Sequence, residues 1–475
     1  MSSVHQTSII AVIGAGTMGA GIAQVSAAHG HTVLLHDAAP DAAHAAKASL
    51  GKRLQGRVAR GKMTADEAAA LLERIRPVAG LDDLAPAGLV IEAIIEDLTV
   101  KQDLFKKLEA IVDVTTILAT NTSSISITSI ARCLETPGRV VGMHFFNPAP
   151  VMKLVEVICG LATSQHVAQQ VFDLALGWGK VAVYAKSTPG FIVNRVARPF
   201  YAEALRLFEE NVADPATIDA LMTQGGGFRM GPFELMDLIG NDVNYTVSKS
   251  VFDAFHHDPR FRPSLAQLEL VNAGHFGAKS GQGFYVHGDG VTKPAPRTSQ
   301  ALEELPALDG VDLAAESEAE GICFIPTDGR LARDVARQRG KPVVLFDVLN
   351  PSSAAPRLGF ATSPDVTCVI VERFIRTMNS QNIVCTHLPD WPGLIVMRTI
   401  AMLANEGFNA VLQGVATEAD VDLAMRFGVN YPLGPIQWAR AIGLERVLCV
   451  LDTLHSLTGD PRYRASLNLR IAATA

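Results

Sequence analysis

Residues Pro189-Gly190-Phe191-Ile192-Val193-Asn194-Arg195 return 203 positions later as Pro392-Gly393-Leu394-Ile395-Val396-Met397-Arg398. The register then persists without a gap. Glu203 matches Glu406, Asp219 matches Asp422 and Gly225 matches Gly428, while Gly231-Pro232 matches Gly434-Pro435 and Ile239-Gly240 matches Ile442-Gly443. Chance does not hold a register over such a length, so the chain carries two copies of one unit. The pattern after Pro189 is helical, which confines two blocks, 188–287 and 391–475, to one all-α domain type.

The N-terminal part reads differently. An apolar run from Ser8 to Ile13 ends in Gly14-Ala15-Gly16-Thr17-Met18-Gly19, an Ala-rich helix follows to about His29, and a second run from Thr32 to Leu35 ends at His36-Asp37. Strand, glycine turn, helix, strand is one βαβ unit. Further runs at Gly88–Ile95, Thr116–Thr120 and Arg139–His144, mostly separated by helices, predict a doubly wound, mainly parallel Rossmann-type sheet over 7–187. The stretch between Ala39 and Gly88 is too long for a simple crossover and predicts an inserted helical pair. A linker rich in Pro, Ser and acidic residues is expected over 288–319. Beyond it, 320–390 reads as a small degenerate α/β segment, with strands at Gly321–Ile325, Lys341–Phe346, Val366–Val371 and Ile383–Cys385, one helix and no glycine fingerprint. The expected fold is α/β plus all-α.

Composition narrows the function. A formal charge of -7 argues against a general nucleic-acid binder, whose footprint is basic, so any phosphate recognition must be local. The N-terminus lacks the basic segment and apolar core of a signal peptide, and no apolar stretch has the length of a membrane span. Six scattered cysteines, without a Cys-x-x-Cys pair, fit reduced thiols in a cytoplasmic protein better than disulfides or a metal site.

Gly-x-Gly-x-x-Gly alone is a weak signal, but here it follows a strand, opens a helix and precedes an acid at a strand end. Gly14 and Gly19 permit the tight turn and close packing, and Gly16 lets backbone approach a pyrophosphate on the helix N-terminus. Asp37 can bind ribose hydroxyls and repels a 2′-phosphate, which favours NAD over NADP. His144 closes a strand, where ligands bind in open α/β sheets. A titratable ring there can take the proton of a substrate alcohol, although a lone His serves equally as a satisfied structural residue. Glu156, in the apolar run Lys153–Ile158, is costly to bury unless paired. If the turn at Asn147-Pro148-Ala149-Pro150 folds the strand back, Glu156 meets His144 and orients it; an exposed Glu on an edge strand is the other reading.

Gly14 to Ala23, Thr120-Asn121-Thr122-Ser123-Ser124, His144-Phe145-Phe146-Asn147-Pro148 and Pro189 to Arg195 together resemble the 3-hydroxyacyl-CoA dehydrogenases. The resemblance covers residues 7 to about 287 and, through the repeat, 391 to about 455. It implies an acyl-CoA substrate, His144 as base and Glu156 as its partner. Ser123 and Asn194 are implied to hydrogen-bond the substrate oxygen. The implied NAD contacts are Gly14, Gly16, Thr17, Met18, Gly19, Asp37, Glu96, Lys101 and Asn147. Arg53 and Arg57, with Arg60 and Lys62, become candidates for CoA phosphates, though a solvated helix face explains each as well. In shorter relatives the helical domain mediates dimerisation, so either a homodimer or a monomer with an internal pseudo-dimer is expected. Two alternatives stand beside this reading: a dehydrogenase of free β-hydroxyacids, which would use a catalytic Lys, and a non-catalytic NAD-binding protein. The middle segment is too short for a fused hydratase.

Overall fold

The computed structural model describes residues 9–474 apart from 302–304, 351–352 and 354. Ser8, the expected start of the first strand, and three residues of the expected linker lie outside the described residues. The chain divides into two compact units. One holds residues up to Asn194 together with Gly414–Val429; the other holds Arg195–Gln413 and Asn430–Ala475.

The first unit is built on eight strands: β1 (Ile10–Ile13), β2 (Val33–His36), β3 (Ile75–Pro77), β4 (Leu89–Glu92), β5 (Ile117–Thr120), β6 (Val140–Phe145), β7 (Leu154–Cys159) and β8 (Val181–Lys186). Their order is β3-β2-β1-β4-β5-β6-β7-β8, and every neighbouring pair is parallel except β6 with β7. Helices on the sheet bury β1, β2, β4 and β5 throughout, which is why these strands read as unbroken apolar runs. The insertion forms helices Ala42–Ala59 and Ala65–Arg74. Thr64 opens the second: its hydroxyl accepts from the Glu67 amide while Glu67 accepts from the Thr64 amide. Leu50, Leu54 and Leu71 join the sheet's own core. The sequence reading missed β3, only three residues long, and β8, whose pattern is interrupted by half-buried Val181 and Tyr184.

Helix Glu418–Gly428, from the expected block 391–475, packs on β7 and β8. Two details explain the seat. Lys186 donates its amide to the Val415 carbonyl at 2.9 Å. A Cβ at Gly428 would lie 2.7 Å from a Leu154 methyl and 3.0 Å from a Val193 methyl, so a larger residue would have to push these side chains aside.

The second unit contains a smaller sheet of β9 (Ser317–Ala319), β10 (Ile322–Pro326), β11 (Val343–Phe346), β12 (Arg357–Thr362) and β13 (Val384–His387), ordered β13-β12-β11-β10-β9. β10 and β11 are parallel, β11 and β12 antiparallel, and β12 and β13 parallel. β9, paired antiparallel to β10, falls inside the expected linker. The strand expected at Val366–Val371 is not one. Thr367 caps a helix over Cys368–Ser380, which buries Phe374, Ile375 and Met378 at helical spacing. An apolar run of that length does not by itself distinguish strand from helix. The strand is β12, which Gly359 disguises.

In the same unit, helices Arg198–Glu209 and Val396–Leu412 pack together. Arg195 Nε donates to Glu406 Oε1 at 2.5 Å, and Arg398 Nε donates to Glu203 Oε2 at 2.9 Å. All four side chains are buried. Each arginine of one repeat therefore meets the glutamate of the other.

Candidate active site

The turn that closes β1 has the geometry its glycines predict. Gly14 has φ +98°, and a Cβ on it would lie 2.4 Å from the Ala93 carbonyl oxygen; on Gly19 it would lie 1.8 Å from the Gly14 oxygen. No side chain fits at either position. At Gly16 an added Cβ meets nothing within 4 Å, so this open side is where a ligand can reach the amides that begin helix Thr17–Ala28, which no side chain caps. Thr17 and Met18 open that helix, Thr17 exposed and Met18 half-buried. Asp37 stands at the same mouth: its Oδ2 accepts from the Ala15 amide at 2.6 Å and its Oδ1 from the Ala39 amide at 2.8 Å. A cavity of about 780 Å³ is lined by Gly14, Gly16, Asp37, Ile95 and Lys107 among others. Amide donors, an acid beside them and this volume fit a dinucleotide.

The antiparallel pairing of β6 with β7 sets His144 directly opposite Glu156. His144 Nδ1 lies 2.6 Å from Glu156 Oε2, with the ring 6% exposed and the carboxylate fully buried. Glu156 Oε1 accepts from the Ile192 and Val193 amides at 3.0 and 3.1 Å. An ionised carboxylate only accepts, so Nδ1 carries its proton and the lone pair of Nε2 is left for another partner. Phe146 and Phe191 flank the imidazole, with ring centroids 4.5 and 5.9 Å away. The fold thus holds the imidazole in one orientation against a buried carboxylate.

Glu96 organises the loop after β5. Its Oε1 accepts from the Thr122 hydroxyl at 2.7 Å, the Ser123 amide at 2.9 Å and the Ser124 amide and hydroxyl at 3.1 and 3.0 Å. Burial would raise its pKa, but the Thr122 hydroxyl and the Lys101 ammonium hold it below the ordinary carboxylate range. Lys101 is buried, with its ammonium 2.6 Å from Glu92 and 3.3 Å from Glu96. Asn194 Nδ2 donates to the Ser123 carbonyl at 3.4 Å, which brings these two predicted residues together.

Sequence reasoning missed two side chains here. Glu92, fully buried at the end of β4, bonds Lys101, the Thr120 hydroxyl and the Ile94 amide. A carboxylate closing an apolar strand, nine residues before a lysine, was the available signal. Asn121 accepts from the Phe145 amide at 2.8 Å and thereby fixes the end of the strand that carries His144; nothing in its spacing pointed to that. Asn147, Arg53 and Arg57 do not join the His144 cluster. With Thr17, Arg60 and Lys62 they line a separate cavity of about 670 Å³.

A dinucleotide turn and a histidine oriented by a buried carboxylate, at the carboxyl ends of one sheet, are the features of an NAD-dependent dehydrogenase. Its family follows from its similarity to known proteins. Residues 9–188 match the NAD-binding domain of 3-hydroxyacyl-CoA dehydrogenase, and residues 190–287 and 393–474 match that enzyme's C-terminal domain. A 3-hydroxyadipyl-CoA dehydrogenase of Escherichia coli is 46% identical over 466 residues, 97% of this chain and 96% of the relative. The human mitochondrial hydroxyacyl-coenzyme A dehydrogenase is 43% identical over 58% of this chain and 90% of its own length. A crystal structure described as E. coli 3-hydroxybutyryl-CoA dehydrogenase superposes with a TM-score of 0.94 at 45% identity, covering 98% of each chain. The chain belongs to the 3-hydroxyacyl-CoA dehydrogenase family. No helix among the described residues is long and apolar enough to cross a membrane.

Proposed function

We propose that the chain oxidises a (3S)-3-hydroxyacyl-CoA to the 3-oxoacyl-CoA, with 3-hydroxyadipyl-CoA as its preferred substrate and His144 as the general base. The hydrogen-bonded pair of His144 and Glu156 carries the chemical part of this reading. Gly14, Gly16, Thr17, Met18, Gly19 and Asp37 would hold NAD, which would supply the acceptor for the hydride leaving the substrate's 3-carbon. His144 Nε2 takes the hydroxyl proton, and Glu156 stabilises the resulting imidazolium. The Ser123 hydroxyl and the Asn194 amide orient the substrate oxygen, and Glu96, tied to Lys101, holds the Ser123 loop for that task. Arg53, Arg57, Arg60 and Lys62 form no ion pair among the described residues and line one cavity with Asn147, which supports a role for them with CoA phosphates. His144→Gln is expected to lower kcat by about 10²–10⁴ while leaving NAD affinity nearly intact. A variant that keeps most of its turnover would remove His144 from the mechanism.

The preferred acyl group rests on the E. coli relative that matches nearly the whole chain. The structure described as a 3-hydroxybutyryl-CoA dehydrogenase favours a shorter one. Comparing kcat/KM for 3-hydroxybutyryl-, 3-hydroxyhexanoyl- and 3-hydroxyadipyl-CoA decides between them. The charge of -7 speaks against a general nucleic-acid partner, and six free cysteines support a cytoplasmic enzyme.

The second half is a duplicate that kept its packing and lost its site. Asp347 and Gly359 stand 203 positions after His144 and Glu156, and they too are joined across antiparallel strands, Asp347 N to Gly359 O at 2.9 Å. Asp347 accepts from the Ile395, Val396 and Met397 amides, as Glu156 does from Ile192 and Val193. The crossed pairs Arg195–Glu406 and Arg398–Glu203 have the form of a two-fold interface. They support an internal pseudo-dimer, and solution scattering is expected to give the mass of one chain, 50.6 kDa.

A further inference from the structure

Within the second unit, Arg198, Arg206, Arg260, Arg262 and Arg462 line a cavity of about 40 Å³ together with Glu209. Three of these arginines have their own carboxylates. Arg206 donates to Glu203, Arg260 to Asp258 at 2.8 Å and Arg462 to Asp460 at 2.7 Å. Glu209 is taken by the Ser264 hydroxyl at 2.7 Å and the Ala266 amide at 3.2 Å. Arg198 differs. It is 8% exposed, forms no ion pair among the described residues, and offers Nη1 only to the Ser248 hydroxyl, at 3.2 Å. Its plane lies 4.9 Å from the centre of the Tyr201 ring, which gives a face and no counter-charge. Arg198 Nε, Arg206 Nη2 and Arg462 Nε are all buried without an acceptor.

A guanidinium cannot shed its proton to escape burial as a lysine can, so an uncompensated one must find an anion or carry a large desolvation cost. We propose that this cavity binds a small monovalent anion, a halide or a carboxylate group, with Arg198 as its principal partner. The volume accommodates a few waters, or one chloride or formate with a water, and excludes a nucleotide or a coenzyme. The neighbouring arginines reinforce the field even though their charges are matched, because their spare N–H groups remain donors. The site belongs to the helical unit and uses none of the residues assigned to NAD, to proton transfer or to CoA phosphates.

The test is thermal unfolding of the full chain in gluconate buffer, titrated with sodium chloride or sodium formate at constant ionic strength. A saturable rise in Tm with either anion is expected in the wild type, and a flat response in Arg198→Met. Response to chloride alone marks a halide site, and response to formate marks one that also takes carboxylates. A wild-type Tm that is indifferent to both anions, or an equal rise in Arg198→Met, overturns the proposal. Should that variant fail to fold, bromide soaked into crystals of the wild type gives an independent reading. An anomalous peak within hydrogen-bonding distance of Arg198 supports the site, and its absence there at saturating bromide refutes it.

Discussion

Glu156 has both carboxylate oxygens committed, one to the His144 ring and one to two backbone amides. Glu156→Gln keeps the shape but cannot serve both sets of donors, because its amide nitrogen must face one of them. Loss of the negative charge also removes the partner of the imidazolium. We expect kcat to fall by about 10² or more and stability to fall by about 1–3 kcal/mol. A loss of stability with kcat unchanged would show that Glu156 only holds backbone. Asp219, away from the site, offers a second residue-level test. Burial pushes its pKa up to about 6, against the pull of the Phe233 amide, the Tyr285 hydroxyl and the Glu234 amide. Its folded pKa thus stands above the ordinary carboxylate value of about 4, and the folded chain holds this proton more tightly than the unfolded chain. The protonated side chain favours folding most below about pH 4, and that contribution is lost as pH rises to about 6. The stability of the wild type relative to Asp219→Asn should therefore drop by about 2–3 kcal/mol between those pH values in denaturant titrations. A constant difference would refute the raised pKa.

At the scale of elements, the glycine turn separates folding from binding. Gly16 has φ -67° and open space beyond it, so Gly16→Ala should fold with stability within about 0.5 kcal/mol of the wild type. It should nevertheless bind NAD more weakly, because the added methyl fills the space a pyrophosphate needs. Gly19→Ala has no such latitude, with its Cβ inside contact distance of the Gly14 oxygen, and should lose about 1–3 kcal/mol of stability as well. Calorimetry of both variants, with and without NAD, separates the two effects; equal stability of the pair would contradict the packing argument. The elements also show where sequence patterns are informative. β1, β2 and β6 were legible because continuous apolar runs bounded by turn signals have few other readings. β12 was not, since Gly359 and the charged Arg357 weaken its pattern, while the apolar Cys368-Val369-Ile370-Val371 next to it mimics a strand and starts a helix.

At the scale of the whole molecule, the crossed ion pairs are buried, and removing one partner leaves charge without compensation. Arg398 serves Glu203, Glu210 and the Tyr463 hydroxyl. Arg398→Met should cost about 3–5 kcal/mol in chemical denaturation. A loss below about 1 kcal/mol would mean that the remaining partners, Arg206 among them, already satisfy Glu203. Because these pairs lie within one chain, the loss should not depend on protein concentration, as it would at an interface between chains.

The sequence by itself determined the glycine turn, the acid that follows it, the histidine at the strand end and the repeat at a fixed spacing. Each is a local pattern whose chemistry leaves few alternatives. Tertiary structure decided what local patterns cannot carry. It turned β7 back so that His144 meets Glu156, tied Glu96 directly to the Ser123 loop, set Lys101 between Glu92 and Glu96, and seated Glu418–Gly428 on β7 and β8. These contacts depend on how separate elements are brought together, and some of them join residues far apart in the chain. The turn at residues 147–150 hinted at the strand reversal, but neither its direction nor the strands that the helix ending at Gly428 meets can be read along the sequence.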